Sequence, residues 1–192
     1  VLFRSLYQNH LDGESMVSKL HKLGVIPGIK VDKGLSPLSG AHEVETWCKG
    51  LEGLAERTAE YYKQGARFAK WRAVLKIDLE KNIPSILSID QNAMTLARYA
   101  SICIQNGLVP IVEPEILMDG DHDIKTSHDI TVEVLSRVYR ELHNQNVDIE
   151  CTLLKPNMVR QGVSCTDEVD FKKVGSYTVQ AFQKTIPVSM PG

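Results

Sequence analysis

Four stretches of the chain read as β-strands that carry charge on one face only, and they recur at a nearly constant interval. They are 27–32 "PGIKVD", 68–77 "FAKWRAVLKI", 108–117 "LVPIVEPEIL" and 149–158 "IECTLLKPNM". Successive side chains of a strand point to opposite faces. In 68–77 one face therefore holds Ala69, Trp71, Ala73, Leu75 and Ile77, and the other holds Phe68, Lys70, Arg72, Val74 and Lys76. In 108–117, Val112, Pro114 and Ile116 oppose Ile111, Glu113 and Glu115. In 27–32, Ile29 and Val31 oppose Lys30 and Asp32; in 149–158, Leu154, Pro156 and Met158 oppose Lys155 and Asn157. The interval is 40 residues from Lys30 to Lys70, 43 from Lys70 to Glu113 and 42 from Glu113 to Lys155.

The intervening segments have the period of amphipathic helices, near 43–64, 84–106, 127–146 and 167–185. The second opens at Pro84, a residue suited to a first turn. Its Ile86, Ile89, Met94, Ala97 and Ala100, joined by Leu87, Leu96 and Ile104, form one broad apolar face. Gly65 and Gly107 follow the first two helices, where a positive φ commonly ends a helix. Thr126 or Ser127 is placed to cap the third. Strand–helix alternation with short loops implies parallel strands joined by crossover helices. An open doubly wound sheet buries both faces of its inner strands, which then read as near-continuous apolar runs. These strands do not. Their charged faces fit a (β/α)8 TIM barrel, whose active site gathers at the carboxyl ends of the strands; the chain carries roughly four of the eight strand–helix units.

With 192 residues, 43% hydrophobic and 24% charged, the chain has material for a substantial core. A net charge of −2 gives no bulk attraction to nucleic acid or an anionic membrane. No apolar run approaches the ~18 residues of a membrane helix, and no charged leader precedes a long apolar segment, so no signal peptide is read. Cys48, Cys103, Cys151 and Cys165 lack close paired spacing and read as reduced cytosolic thiols. "DGDHD", with His122 and His128, reads as a turn and helix lead-in, not a metal site. Both ends look cut. Residues 1–5, "VLFRS", read as an assembly or adapter scar, which leaves 6–192 as one partial barrel domain.

Gathered in one mouth, the polar faces bring together Lys30, Asp32, Lys70, Arg72, Glu113, Glu115, Lys155 and Asn157: four positive and three negative charges. Such a group is costly for structure alone, because buried ion pairs rarely gain net stability. A lysine is a nucleophile only as a neutral amine. From a reference pKa of about 10.4, work at neutral pH asks for a bias of roughly 3 units, about 4 kcal/mol. Lys155, at the centre of a strand that reads as buried, would be pushed that way by burial and by the nearby cations Lys70 and Arg72. A neutral lysine attacks a carbonyl to give an iminium, and a carboxylate such as Glu113 moves the protons. The excess of cations suits a phosphorylated substrate.

The motifs "GIKVDKGL", "FAKWRAVLKI", "LVPIVEPEILMDGDHD" and "TLLKPNMV", in this order and spacing, closely resemble class I fructose-1,6-bisphosphate aldolase. The likeness runs from about Leu6 to Gly192. It implies a (β/α)8 barrel, a cytoplasmic glycolytic lyase, a homotetramer, possession of no metal or other cofactor, and cytoskeletal proteins as further partners. The reaction implied is reversible cleavage of fructose 1,6-bisphosphate to dihydroxyacetone phosphate and glyceraldehyde 3-phosphate. By motif, Lys155 matches the Schiff-base lysine. Glu113 matches the acid/base of carbinolamine formation and dehydration, and Glu115 its neighbour near that lysine. Lys70 matches a substrate-contacting lysine of the catalytic set, Arg72 an inward supporting arginine, and Lys30 with Asp32 the substrate-side polar pair of the preceding strand. The family's first-strand aspartate is expected upstream of this chain, and its phosphate-binding loop and arginine downstream. One departure is local: Cys151 stands where the family usually has glycine. The competing expectation is a truncated chain without catalysis, serving at most as a scaffold or binding surface.

Overall fold

The computed structural model describes residues 1–192. The chain runs through β1 (Leu2–Phe3), α1 (Met16–Lys22), β2 (Gly28–Lys30), β3 (Leu35–Pro37), β4 (Thr46–Cys48), α2 (Leu54–Lys63), β5 (Phe68–Leu75), α3 (Ile86–Gln105), β6 (Val109–Ile116), α4 (Ile124–Asn144), a short 3-10 turn (Ile149–Cys151), β7 (Leu153–Leu154) and α5 (Phe171–Thr185). Five strands form one parallel sheet in the order β1-β2-β5-β6-β7. The other two, β3 and β4, make a separate antiparallel pair. The second and third long helices lie against the sheet: α3 packs on β5 and β6, and α4 packs on α3 and β6, with α5 against α4.

The period-2 alternation of β5 is realised residue by residue. Ala69, Trp71, Ala73 and Leu75 are buried, while Phe68, Lys70, Arg72 and Val74 on the opposite face are half-buried. The buried set belongs to one core with Ile29, Val31, Val112 and Ile116 from the sheet and Leu96, Tyr99, Ala100, Val134 and Val138 from the helices. Tyr99 reaches from α3 into that layer, and its hydroxyl donates to the Ala69 carbonyl at 2.8 Å. The polar faces are thus turned away from the helices, as a barrel interior requires.

Local boundaries differ from expectation where caps and turns compete. The first helix does not begin near residue 43. Thr46–Cys48 pairs instead with Leu35–Pro37, and α2 starts only at Leu54. Thr and Trp favour a strand, and Gly50 and Gly53, at φ 125° and 62°, break any helical run across this segment. Pro84 lies before the second helix, not in its first turn: Ser85 is the N-cap, its hydroxyl accepting from Ser88 N at 3.1 Å. In the third helix Asp123 is the cap and Thr126 the donor, with N to Oδ1 at 2.7 Å, because the carboxylate precedes the helix and is the stronger acceptor. The fourth helix starts at Phe171, capped by Asp170. The expected strand 149–158 keeps only Leu153–Leu154, since Ile149–Cys151 turns as 3-10 and Pro114 on the neighbouring β6 has no amide for the rung after Lys155. Besides the β3–β4 hairpin, two further elements were not anticipated. One is α1, capped by Ser15. The other is β1, formed by residues set aside from the fold, with Leu2 opposite Gly28 and Phe3 opposite Ile29. As expected, Gly65 and Gly107 end their helices at φ 108° and 77°. No helix is long and apolar enough to cross a membrane.

Candidate active site

Register decides which charges meet. In the parallel pairing Lys30 lies opposite Lys70, and Arg72 opposite Glu113. Lys155 continues the β7 line past Leu154, its amide donating to Val112 O at 2.8 Å. Arg72, Glu113 and Lys155 therefore sit at one level across three strands, on the face away from the helices.

Glu113 is the hub. Its side chain is only 3% exposed. Lys155 Nζ donates to Glu113 Oε1 at 2.6 Å. Lys70 Nζ approaches Oε2 at 2.7 Å, an ion pair whose direction falls outside hydrogen-bond alignment. One buried carboxylate thus bridges ammonium groups from the strands on either side. Arg72 turns to Glu115, donating through Nε, and this bond raises the guanidinium pKa above its ordinary value. Lys30 pairs with Asp32 on its own strand line. Asp32, with its side chain 2% exposed, also accepts from the backbone amides of Arg72 at 3.5 Å and Gly34 at 3.3 Å. These contacts tie β2 to β5 just below the mouth.

The polar face opens on a concavity of about 360 Å³ lined by Lys30, Lys70, Arg72, Glu113 and Glu115 together with Phe3 and Arg4. Arg4 was not among the sequence candidates. It lies in residues 1–5, set aside from the fold, and β1 becomes recognisable through its partner β2. Cys48 is a second unforeseen neighbour. From β4 its thiol donates to the Arg72 carbonyl at 2.6 Å, and burial pushes its pKa up to about 12. Asn157 turns to the backbone, its Oδ1 accepting from Ile116 N at 3.0 Å.

One expectation is corrected. Lys155 is not buried: its side chain is 59% exposed. β7 is the edge strand of the sheet and only two residues long, so no neighbouring strand shelters that side. In this chain, a partial barrel, Nζ meets the Glu113 carboxylate and not an apolar pocket. His122 and His128 do not converge. His128 Nδ1 contacts Asp129 at 2.8 Å, and its ring meets Tyr177 edge-on. No group of three or more His, Cys, Asp or Glu side chains is placed to hold a metal ion. All four cysteines are free.

Comparison with known proteins gives concordant results. The glycolytic family described as fructose-bisphosphate aldolase class-I matches residues 1–192. A fructose-bisphosphate aldolase of Dictyostelium discoideum is 52% identical over 188 residues, covering 98% of this chain and 52% of the relative. Fructose-bisphosphate aldolase 5, cytosolic, of Arabidopsis thaliana is 53% identical over 193 aligned positions, covering 100% of this chain and 53% of the relative. Among solved structures, the fructose-bisphosphate aldolase of Plasmodium falciparum, in complex with TRAP and a small molecule inhibitor, superposes with a TM-score of 0.96 at 51% identity. It is covered along 55% of its chain, and this chain along 100%. The chain spans about half the length of the curated relatives it matches. A likeness in sequence and backbone that extends over every strand of the sheet, including the two that carry Glu113 and Lys155, means that this chain belongs to the class-I fructose-bisphosphate aldolase family.

Proposed function

We propose that the protein is a fructose-bisphosphate aldolase, and that this chain supplies its Schiff-base lysine together with the carboxylate that serves it. The observation that carries the reading is Glu113, held between Lys155 at 2.6 Å and Lys70 at 2.7 Å. Proton transfer requires hydrogen-bond reach between base and donor, and Glu113 Oε1 has it to Lys155 Nζ. With a proton passed to Glu113, the amine attacks the ketone carbon of the sugar phosphate to form a carbinolamine. Glu113 returns the proton to the departing hydroxyl, water leaves, and the iminium remains on Lys155. That iminium accepts the electron pair of the carbon–carbon bond one carbon removed from it. As the bond breaks, the hydroxyl of the departing carbon gives its proton to a base and glyceraldehyde 3-phosphate leaves. The enamine left on Lys155 is protonated at carbon and hydrolysed by water to release dihydroxyacetone phosphate. The scheme uses amine chemistry alone. Lys70 reaches into the concavity as the substrate-contacting lysine. Lys30, with its partner Asp32, and Arg72, with its partner Glu115, present cationic groups suited to phosphate oxygens.

The assembly that goes with this reading is a cytoplasmic homotetramer acting in glycolysis, with cytoskeletal proteins as further partners. The cytosolic plant relative supports that location, although a chloroplastic one is similar too. The competing reading is a chain without catalysis that serves as a binding surface.

Borohydride reduction of the full-length protein in the presence of dihydroxyacetone phosphate tests the first reading. A stable adduct is expected on the peptide that contains Lys155. Label on another lysine, or cleavage activity lost to a chelator, overturns the assignment.

A further inference from the structure

The strands that bear Glu113 and Lys155 share an oddity: each of these residues is followed by proline, as Glu113-Pro114 and Lys155-Pro156. Main-chain pairing of β6 with β7 runs through Ile111 opposite Leu153 and Val112 opposite Leu154. Its last rung is the Lys155 amide on the Val112 carbonyl at 2.8 Å. In a regular parallel ladder the next rung would come from the amide of residue 114 to the Lys155 carbonyl. Proline has no amide hydrogen, so that rung cannot form. Further along, a regular ladder would direct the Ile116 amide to the main-chain carbonyl of residue 157. Instead that amide donates to the side chain of Asn157, with N to Oδ1 at 3.0 Å. This bond is the one hydrogen bond between β6 and residues 156–158. The other end of the same amide group donates to Met158 O at 3.1 Å.

We infer that Asn157 is a positioning residue for Lys155: its side-chain carbonyl makes the cross-strand link beyond the main-chain rung lost to Pro114 and holds the mouth end of β7 against β6. Pro156 restricts Lys155 to an extended backbone but cannot set the distance between the strands. Asn157 sets it, two residues beyond the amine. Beyond the Lys155 amide, the bond from Ile116 to Asn157 is what fixes this segment on β6, beside the contact of Lys155 with Glu113. The inference rests on the Schiff-base role proposed for Lys155.

The test uses the full-length enzyme, with borohydride trapping of dihydroxyacetone phosphate, steady-state cleavage kinetics and thermal unfolding measured together. Asn157→Asp keeps an acceptor oxygen in place. Asn157→Gln displaces it by one methylene, and Asn157→Leu removes it. Displacing a reacting group by about 1 Å can lower a rate about a hundredfold. The Gln and Leu variants are therefore expected to slow trapping and kcat about tenfold or more, with KM within about twofold, and the Asp variant to recover to within about threefold of wild type. If the Leu variant fails to fold, the Gln and Asp variants decide. Wild-type trapping rates in the Gln variant, or an Asp variant as slow as Gln, overturn the inference. Label on a lysine other than Lys155 in the wild-type enzyme overturns the Schiff-base assignment itself, an outcome visible before any variant is made.

Discussion

At the residue scale the site turns on a single carboxylate serving two amines. Glu113 is nearly inaccessible, and its charge is balanced by Lys155 and Lys70 from the neighbouring strands. Glu113→Gln keeps the shape and removes both the base and the counter-charge. In the full-length enzyme this change is expected to slow Schiff-base formation by about 10²- to 10⁴-fold, the usual contribution of a positioned acid or base. Single-turnover borohydride trapping measures it, and a Gln variant that traps at the wild-type rate would remove Glu113 from the mechanism. The membership of this face was readable in advance. Lys70, Arg72, Glu113 and Glu115 fall on one side of their strands by alternation alone. Their partners were not readable. Arg72 chooses Glu115 although Glu113 lies opposite it in register, and Lys30 chooses Asp32. Side-chain reach settles such choices, and a linear pattern does not encode it. Arg4 was left out with residues 1–5, read as a scar, and Cys48 was missed because it reaches the mouth only through tertiary pairing.

At the element scale the long helices were legible because α3 and α4 bury continuous apolar faces, and the short elements were not. Boundaries went to whichever residue could satisfy the first-turn amides. Asp123 illustrates this: its bonds to Thr126 hold its pKa below the ordinary 3.8. A carboxylate whose folded pKa is depressed contributes stability that is present above its unfolded pKa and lost as pH falls through the folded one. Asp123→Ala is therefore expected to destabilise the protein by about 1 kcal/mol at neutral pH. The gap to wild type should narrow as pH falls below about 4. Urea unfolding across pH checks it, and a pH-independent gap would count against the cap as its source. The hairpin of β3 and β4 escaped notice because Thr46–Cys48 is too short for a period and was absorbed into the helical pattern after it. Only its partner strand and the two glycines beyond it, Gly50 and Gly53, mark it as extended.

At the scale of the whole molecule, the sheet has helices on one face and charge on the other, with β1 and β7 as its edges. The family fold is a (β/α)8 barrel, and this chain covers 55% of the solved relative. Expressed as the 192-residue polypeptide, it is expected to cleave fructose 1,6-bisphosphate at a negligible rate, because Lys155 sits at an edge and is open to water. Unpaired parallel edges also favour association, so sedimentation velocity should show species heavier than the monomer. Cleavage at the rate of a full-length aldolase would mean that the sites on this face suffice.

What the sequence by itself determined is everything that follows from local period and motif: parallel strands joined by helices, the face on which the charges lie, and the family to which the motifs belong. Those properties need only neighbours along the chain. The tertiary structure alone decided that Glu113 is shared by two lysines and that Asn157 makes the link beyond a lost rung. Ion-pair choice and burial depend on what lies across the sheet, and residues more than forty positions apart meet only when the strands are laid side by side.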